Sequence, residues 1–283
     1  MTKKKQHRYA LTLGEQSEIH VGCPIIGEGL AEEGYTISEL KKINKKFKKN
    51  SKLIMLSDEL PEEKRQENQA CVLHIENGVN IIMKNKKYAD RMLKEQDTIK
   101  YDKYYYDNRR KKKLNKIARH NIVFNDKGKK HTEDYKQSTV IAYKDVPYFE
   151  EYRDTLDKYF GKKARKLNSE GNFYYDEKSG IGFHGDSERK IVICCSLGTP
   201  TTLRFYWRSP NSSEVYKKPI DIELKHGDIY IMSEKASGYD WKRRSKYRLV
   251  HGAGNEKYIK VETKKDDDDK ESDETESDRK EDD

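Results

Sequence analysis

In the segment Gly182-Phe-His184-Gly-Asp186, His184 and Asp186 offer an imidazole and a carboxylate two residues apart. Residues i and i+2 of an extended strand point to one face, so both groups can reach one ion. Two imidazoles and one carboxylate hold a divalent iron on one side and leave its other positions open. A third ligand is then expected from a strand that returns to the same place tens of residues later. His251 closes the run Tyr247-Arg-Leu-Val-His251 on a late strand and is the better candidate. His226, in the turn signal Lys225-His-Gly-Asp228, reads as structural, while His120 and His131 precede the sheet in polar sequence. Gly182 and Gly185 are expected to allow close backbone approach around the pair.

Such ligands need a sheet to carry them. Over 138–263 short strands alternate with Gly, Pro, Asn and Asp turns, at 172–175, 191–195, 202–207, 220–224, 228–232, 247–251 and 258–261. A helix over 146–160 precedes them, with Phe149, Tyr152, Leu156 and Tyr159 at helical spacing. Many short strands of this kind predict an antiparallel sandwich or jelly roll, with Trp207 and Trp241 as large anchors. Before them, Tyr9 to Leu13 reads as a strand. Residues 38–49 read as an amphipathic helix with Leu40, Ile43 and Phe47 on one face and Ser38 as N-cap. Residues 71–75 and 79–83 flank Glu76-Asn77-Gly78 and predict a hairpin.

Residues 84–136 are very polar. Tyr101, Tyr104, Tyr105 and Tyr106 precede the run Arg109-Arg-Lys-Lys-Lys113, a mixture that suits phosphate contact with base stacking and equally suits a solvated loop. The net charge of +9 is uneven: 12 acidic and 3 basic residues fall in 266–283, which leaves 56 basic and 38 acidic residues, or +18, in 1–265. A basic body predicts an anionic partner, nucleic acid first. Residues 264–283 hold no apolar side chain and are expected to be disordered. Cys23, Cys71, Cys194 and Cys195 form no CxxC pair and read as reduced thiols of an intracellular protein. Adjacent Cys194 and Cys195 should face opposite sides of a strand. No stretch approaches the roughly 20 apolar residues of a membrane span, so no membrane association is expected.

The order of these motifs resembles the AlkB-like branch of the iron(II)- and 2-oxoglutarate-dependent dioxygenases, over about 140–262. In that family an Asn-x-Tyr pair that holds 2-oxoglutarate precedes the metal pair, and Asn172 and Tyr174 match it. Ser196-Leu-Gly198 and the Gly-Asp turn of His226-Gly-Asp228-Ile-Tyr-Ile231 also fit. The N-terminal half is similar to AlkB-like relatives of protists and large DNA viruses. The resemblance implies an α+β, mainly β fold: a double-stranded β-helix (jelly roll) over 138–263, an α/β extension over 1–137 and an acidic tail over 264–283.

The chain departs from the family where the third His is expected. The loop Ala236-Ser-Gly-Tyr-Asp240-Trp-Lys has none, and His251 stands where the second Arg of the final strand would be. Either His251 or Asp240 is then the third ligand, and the far carboxylate of 2-oxoglutarate falls to Lys260, Arg244 or Arg248. The implied cofactors are Fe(II), 2-oxoglutarate and O₂, with oxidation of a substrate C–H bond. A methylated nucleic-acid base is the first expected substrate, with Arg119, His120 and the 101–113 run as contacts. A protein side chain, or non-catalytic nucleic-acid binding, are the alternatives. The work is expected in the cytoplasm or nucleus, or in the host cell of a virus.

Overall fold

The computed structural model describes residues 7–20, 23–213 and 215–261, so the acidic stretch 264–283 lies outside the described residues. The strands of the first half are β1 (Arg8–Gly14), β2 (Gln16–Ser17), β3 (Ile26–Gly27), β4 (Ser51–Met55), β5 (Cys71–Ile75), β6 (Tyr104–Asp107), β7 (Lys112–Asn115) and β8 (His120–Asn125). The second half adds β9 (Val140–Ala142), β10 (Asn168–Tyr174), β11 (Gly180–His184), β12 (Val192–Gly198), β13 (Thr201–Arg208), β14 (Val215–Leu224), β15 (Ile229–Met232) and β16 (Arg248–Gly254). The helices are α1 (Ile37–Phe47), α2 (Glu62–Arg65), α3 (Gly78–Ile82), α4 (Tyr88–Thr98), α5 (Pro147–Phe160) and α6 (Glu256–Ile259).

Eight strands form one sheet in the order β4-β5-β15-β12-β1-β10-β8-β9, and four form another in the order β11-β16-β13-β14. The sequence of β1 shows how the larger sheet sorts its surroundings. Alternation puts Tyr9, Leu11 and Leu13 on one face, buried against α1, α3, α4 and α5. Burying one such leucine contributes about 1.5–3 kcal/mol relative to leaving it exposed. Arg8, Ala10 and Thr12 point the other way, into the space between the two sheets. Part of that space is an apolar core built by both sheets, with Val192, Cys194 and Met232 against Phe205, Trp207, Ile222 and Leu249. Helices, large sheet and small sheet are therefore stacked as three layers. Cys194 and Cys195 fall in the two different cores, and all four cysteines are free thiols.

Strands from both sides of position 137 alternate in the larger sheet, with β1 between β12 and β10, so segments 1–137 and 138–263 share one sheet. Three local expectations change. The hairpin after β5 is not formed, because Gly78–Ile82 is the helix α3. Asn77 takes a left-handed conformation and its N–H is held by Asp228 Oδ1 at 2.8 Å, which starts a helical turn that buries Val79 and Ile82. The strand expected over 258–261 is replaced by α6, capped by Asn255 Oδ1, which accepts from Lys257 N at 2.9 Å. The N-cap of α1 is Thr36 rather than Ser38, in a reciprocal capping box with Glu39. The polar 84–136 stretch also holds α4, whose Tyr88, Ala89, Met92 and Gln96 are buried at helical spacing. No helix among the described residues is long and apolar enough to cross a membrane.

Candidate metal centre

His184 ends β11, and the neighbouring β16 sets His251 directly opposite it. Their ring centroids lie 4.6 Å apart. Asp186 is not on the strand: the chain has left β11, and the Asp186 N–H donates to the Ser237 carbonyl at 2.9 Å, which turns the carboxylate back. Strand alternation is therefore not what aligns the pair. Asp186 Oδ1 is 3.5 Å from His184 Nε2 and 3.8 Å from His251 Nε2. Ligand atoms of these three residues all lie within 4.8 Å of one another, the one such group among the described residues. Gly185 permits the turn, since a Cβ there would collide with the Gly238 carbonyl oxygen and lie 2.7 Å from Trp241 Cδ1. Gly182 permits no such approach, because nothing lies within 4 Å of where its Cβ would be.

The protonation states suit a cation. His184 Nδ1 is 2.8 Å from the Gly182 carbonyl, which only accepts, so Nδ1 carries a hydrogen and Nε2 is the atom turned toward Asp186. His251 is 6% exposed; burial first, then the neighbouring His184, push its imidazole down to about 3, so the ring is neutral. Its Nδ1 is buried with no partner among the described residues, unlike a histidine that serves the fold through hydrogen bonds. Burial opposes the charge on Asp186, and the nearby Arg189 guanidinium leads the groups that hold the carboxyl below its usual range. Two imidazoles and one carboxylate are the donor set a divalent metal takes, so the residues present fit the ion.

Beside this group lies a cavity of about 380 Å³ between the two sheets. Asn172 and Tyr174, on the inward face of β10, line it. Asn172 Oδ1 accepts from Arg119 Nε, and the Arg8 guanidinium lies 4.6 Å above the Tyr174 ring. The basic residues expected to complete the site are elsewhere. On β16, Leu249, His251 and Ala253 share the inward face, so Arg248 alternates away and donates to the carbonyls of Ser209 and Ser212. Arg244 is exposed in the loop before β16, and Lys260 is exposed just past α6. None of the three lines the cavity. Asp240, the alternative third ligand, stands apart: its Oδ2 accepts from Lys235 Nζ at 2.7 Å, and it is not part of the ligand group.

Besides Arg119, expected from the sequence as a nucleic-acid contact, the cavity holds charged groups that sequence spacing did not single out. Arg8, Arg119 and Arg189 line it with Glu170 and Glu188. Arg189 Nη2 lies 2.6 Å from Glu188 Oε1 and 3.0 Å from Glu170 Oε2, and its Nε is 3.7 Å from Asp186 Oδ2. The inward alternation of β1 carries the one signal for Arg8, but its strand partners are far along the chain. At the exposed side of the cavity, His20 stacks on Tyr105 of the β6–β7 hairpin with ring centroids 3.9 Å apart. Lys113 Nζ lies 5.2 Å from the Tyr104 ring and 5.7 Å from the Tyr135 ring, so these aromatics already face a cation. His120 stacks on Tyr175 at 4.6 Å and does not line the cavity.

The sequence is 32% identical to an uncharacterized protein of Acanthamoeba polyphaga mimivirus over 269 residues, 92% of this chain and 100% of the relative. Over 81 residues it is 33% identical to alpha-ketoglutarate-dependent dioxygenase alkB homolog 3 of Mus musculus and of Rattus norvegicus. That match spans 26% of this chain and 28% and 27% of those relatives. No family model matches the chain.

Proposed function

The chain belongs to the family of the uncharacterized mimivirus protein, and we propose that it acts as an iron(II)- and 2-oxoglutarate-dependent dioxygenase on a nucleic-acid base. The observation that carries this reading is the convergence of His184, Asp186 and His251 within 4.8 Å beside a cavity. The 81-residue similarity to an alkB homolog supports the same chemistry. We read the two facing sheets as a double-stranded β-helix on the same grounds.

When bound, iron supplies the coupling of O₂ reduction to two oxidations: 2-oxoglutarate goes to succinate and CO₂, and a substrate C–H goes to C–OH. One oxygen atom enters succinate and the other enters the substrate. The residues of this chain provide position. The Gly182 carbonyl fixes the His184 ring, while Ser237 and Arg189 aim the Asp186 carboxylate. Asn172 and Tyr174 face the cavity that would take 2-oxoglutarate. The two sheets limit water at the reacting centre.

For the substrate, the β6–β7 hairpin, whose turn carries the basic run Arg109–Lys113, joins the cavity rim through His20. Lysines and arginines there suit phosphates, and a duplex base would have to be flipped out to reach the iron. A virus-encoded relative fits action inside an infected cell.

Purified protein with Fe(II) and 2-oxoglutarate in air is expected to release succinate, and more when given a methylated oligonucleotide. Removing groups that merely support a metal ligand costs about 10–100-fold, so Asp186→Ala should lower release by more than about 100-fold. Equal release by the variant overturns the reading. Failure of single-stranded DNA and RNA to bind even at low salt removes nucleic acid as the substrate class.

A further inference from the structure

Arg8 is an arginine 7% exposed whose side chain lines the cavity. A buried guanidinium normally faces a carboxylate, because an unpaired buried charge is costly. The other two cavity arginines obey this rule. Arg189 faces Glu188 and Glu170 at 2.6 and 3.0 Å, and Arg119 faces Glu170 at 3.6 Å. Arg8 makes no close ion pair among the described residues; the carboxylate that acts on it, Asp176, does so at longer range. Its Nη2 donates to the Ser179 carbonyl at 3.3 Å, and its Nε is buried with no partner among them.

A second buried group is unmatched at the same place. Arg8 pairs with Gly198 at the end of β12, and Thr201 opens β13 just beyond the turn. Thr201 Oγ1 lines the cavity and is buried without a partner among the described residues. Tyr174, opposite Arg8 on β10, lies under the guanidinium. A positive charge and a hydroxyl, both dry and both facing one cavity, form a site for an anion.

Distance says what kind of anion. A Cβ at Gly254 would lie 2.8 Å from Arg8 Nη2, so the guanidinium packs against β16 beside Gly254. His251 and Ala253 line the cavity from one face of β16, and at about 3.3 Å per residue the strand rises about 10 Å from His251 to Gly254. A five-carbon diacid spans about 5 Å between carboxyl carbons, and contacts of about 2 Å to a metal and about 3 Å to a guanidinium extend it to that length.

We propose that Arg8, with Thr201 beside it and Tyr174 beneath it, holds the far carboxylate of a short 2-oxodicarboxylic acid whose near end meets the His184–Asp186–His251 group. The inference rests on the dioxygenase reading and gives its co-substrate site an anchor on the first strand. Arg8 is a binding residue, and it makes the site selective for diacids over monoacids.

The test is calorimetric titration of the full chain, loaded with Mn(II) and kept free of O₂, with 2-oxoglutarate and with 2-oxobutyrate, which lacks the far carboxylate. The wild type should prefer 2-oxoglutarate by about 30- to 1,000-fold, the range expected for a desolvated charge pair. Arg8→Met should abolish that preference and leave Mn(II) and 2-oxobutyrate affinity unchanged. The milder Thr201→Val should narrow it by about tenfold. A preference that survives Arg8→Met, or that Arg119→Met removes while Arg8→Met does not, overturns the proposal. If Arg8→Met does not fold, an unchanged preference in Thr201→Val overturns it instead. A wild type that binds Mn(II) without preferring the diacid defeats this inference and leaves the metal centre standing. A wild type that binds no Mn(II) defeats the dioxygenase reading itself.

Discussion

The space between the two sheets has two ends of opposite character. At one, Val192, Met232, Phe205, Trp207, Ile222 and Leu249 pack as an ordinary apolar core. At the other lie Arg8, Glu170, Asp186, Arg189 and His251, all buried. The first end contributes stability through area removed from water. The second cannot, since each buried charge carries a desolvation penalty that its pairing at best offsets. Charges kept inside a sheet sandwich at such a cost point to binding and chemistry there, and to the apolar end as what keeps the frame closed.

This contrast predicts that the ends can be damaged separately. The largest effect belongs to the apolar end. Trp207→Ala should lower unfolding free energy by about 3–5 kcal/mol in urea titrations, while the folded fraction keeps its Mn(II) affinity. Metal affinity that falls in step with stability would merge the two ends into one unit. Next, Gly185→Ala should cost about 1–3 kcal/mol through its clash with Gly238 and Trp241, and should loosen the metal with it.

A graded effect comes from pH. Below the ordinary histidine value of about 6.5 the unfolded chain takes up a proton at position 251, which the folded chain refuses until about 3. Metal-free protein should therefore lose stability as pH falls through that window, by at most about 1.4 kcal/mol per unit from this residue. Denaturation midpoints of His251→Phe measured from pH 7 to 4 should show a flatter decline than the wild type; parallel declines would mean His251 is charged when folded. Smallest of all, Gly182→Ala should change stability by less than about 0.5 kcal/mol, because its Cβ enters open cavity.

Much of this is legible locally. The His184–Asp186 pair, the lateness of His251 and the alternation of β1 can all be read from short windows of sequence. The rest depends on distant contacts. Asp186 is aimed by Ser237, and α3 replaces a plausible strand because Asp228 holds the Asn77 N–H. Arg248 sits three residues from His251, and that odd spacing already places it on the other face of β16. Analogy of spacing points to Lys260, but the cap at Asn255 turns that stretch into a helix instead. Arg8 gives almost no sign, because an arginine in a first strand acquires meaning only when its neighbours are known.

Those neighbours are β10 and β12, so the first strand is hydrogen-bonded between segments made much later. At about 5–20 residues per second on a ribosome, β1 waits roughly 10–40 s before Gly198, its partner across from Arg8, has been synthesised. During that interval the nascent chain carries an unsatisfied strand with Tyr9, Leu11 and Leu13 uncovered, a natural target for a chaperone. Truncated translation products should therefore stay protease-sensitive through β1 until β12 emerges.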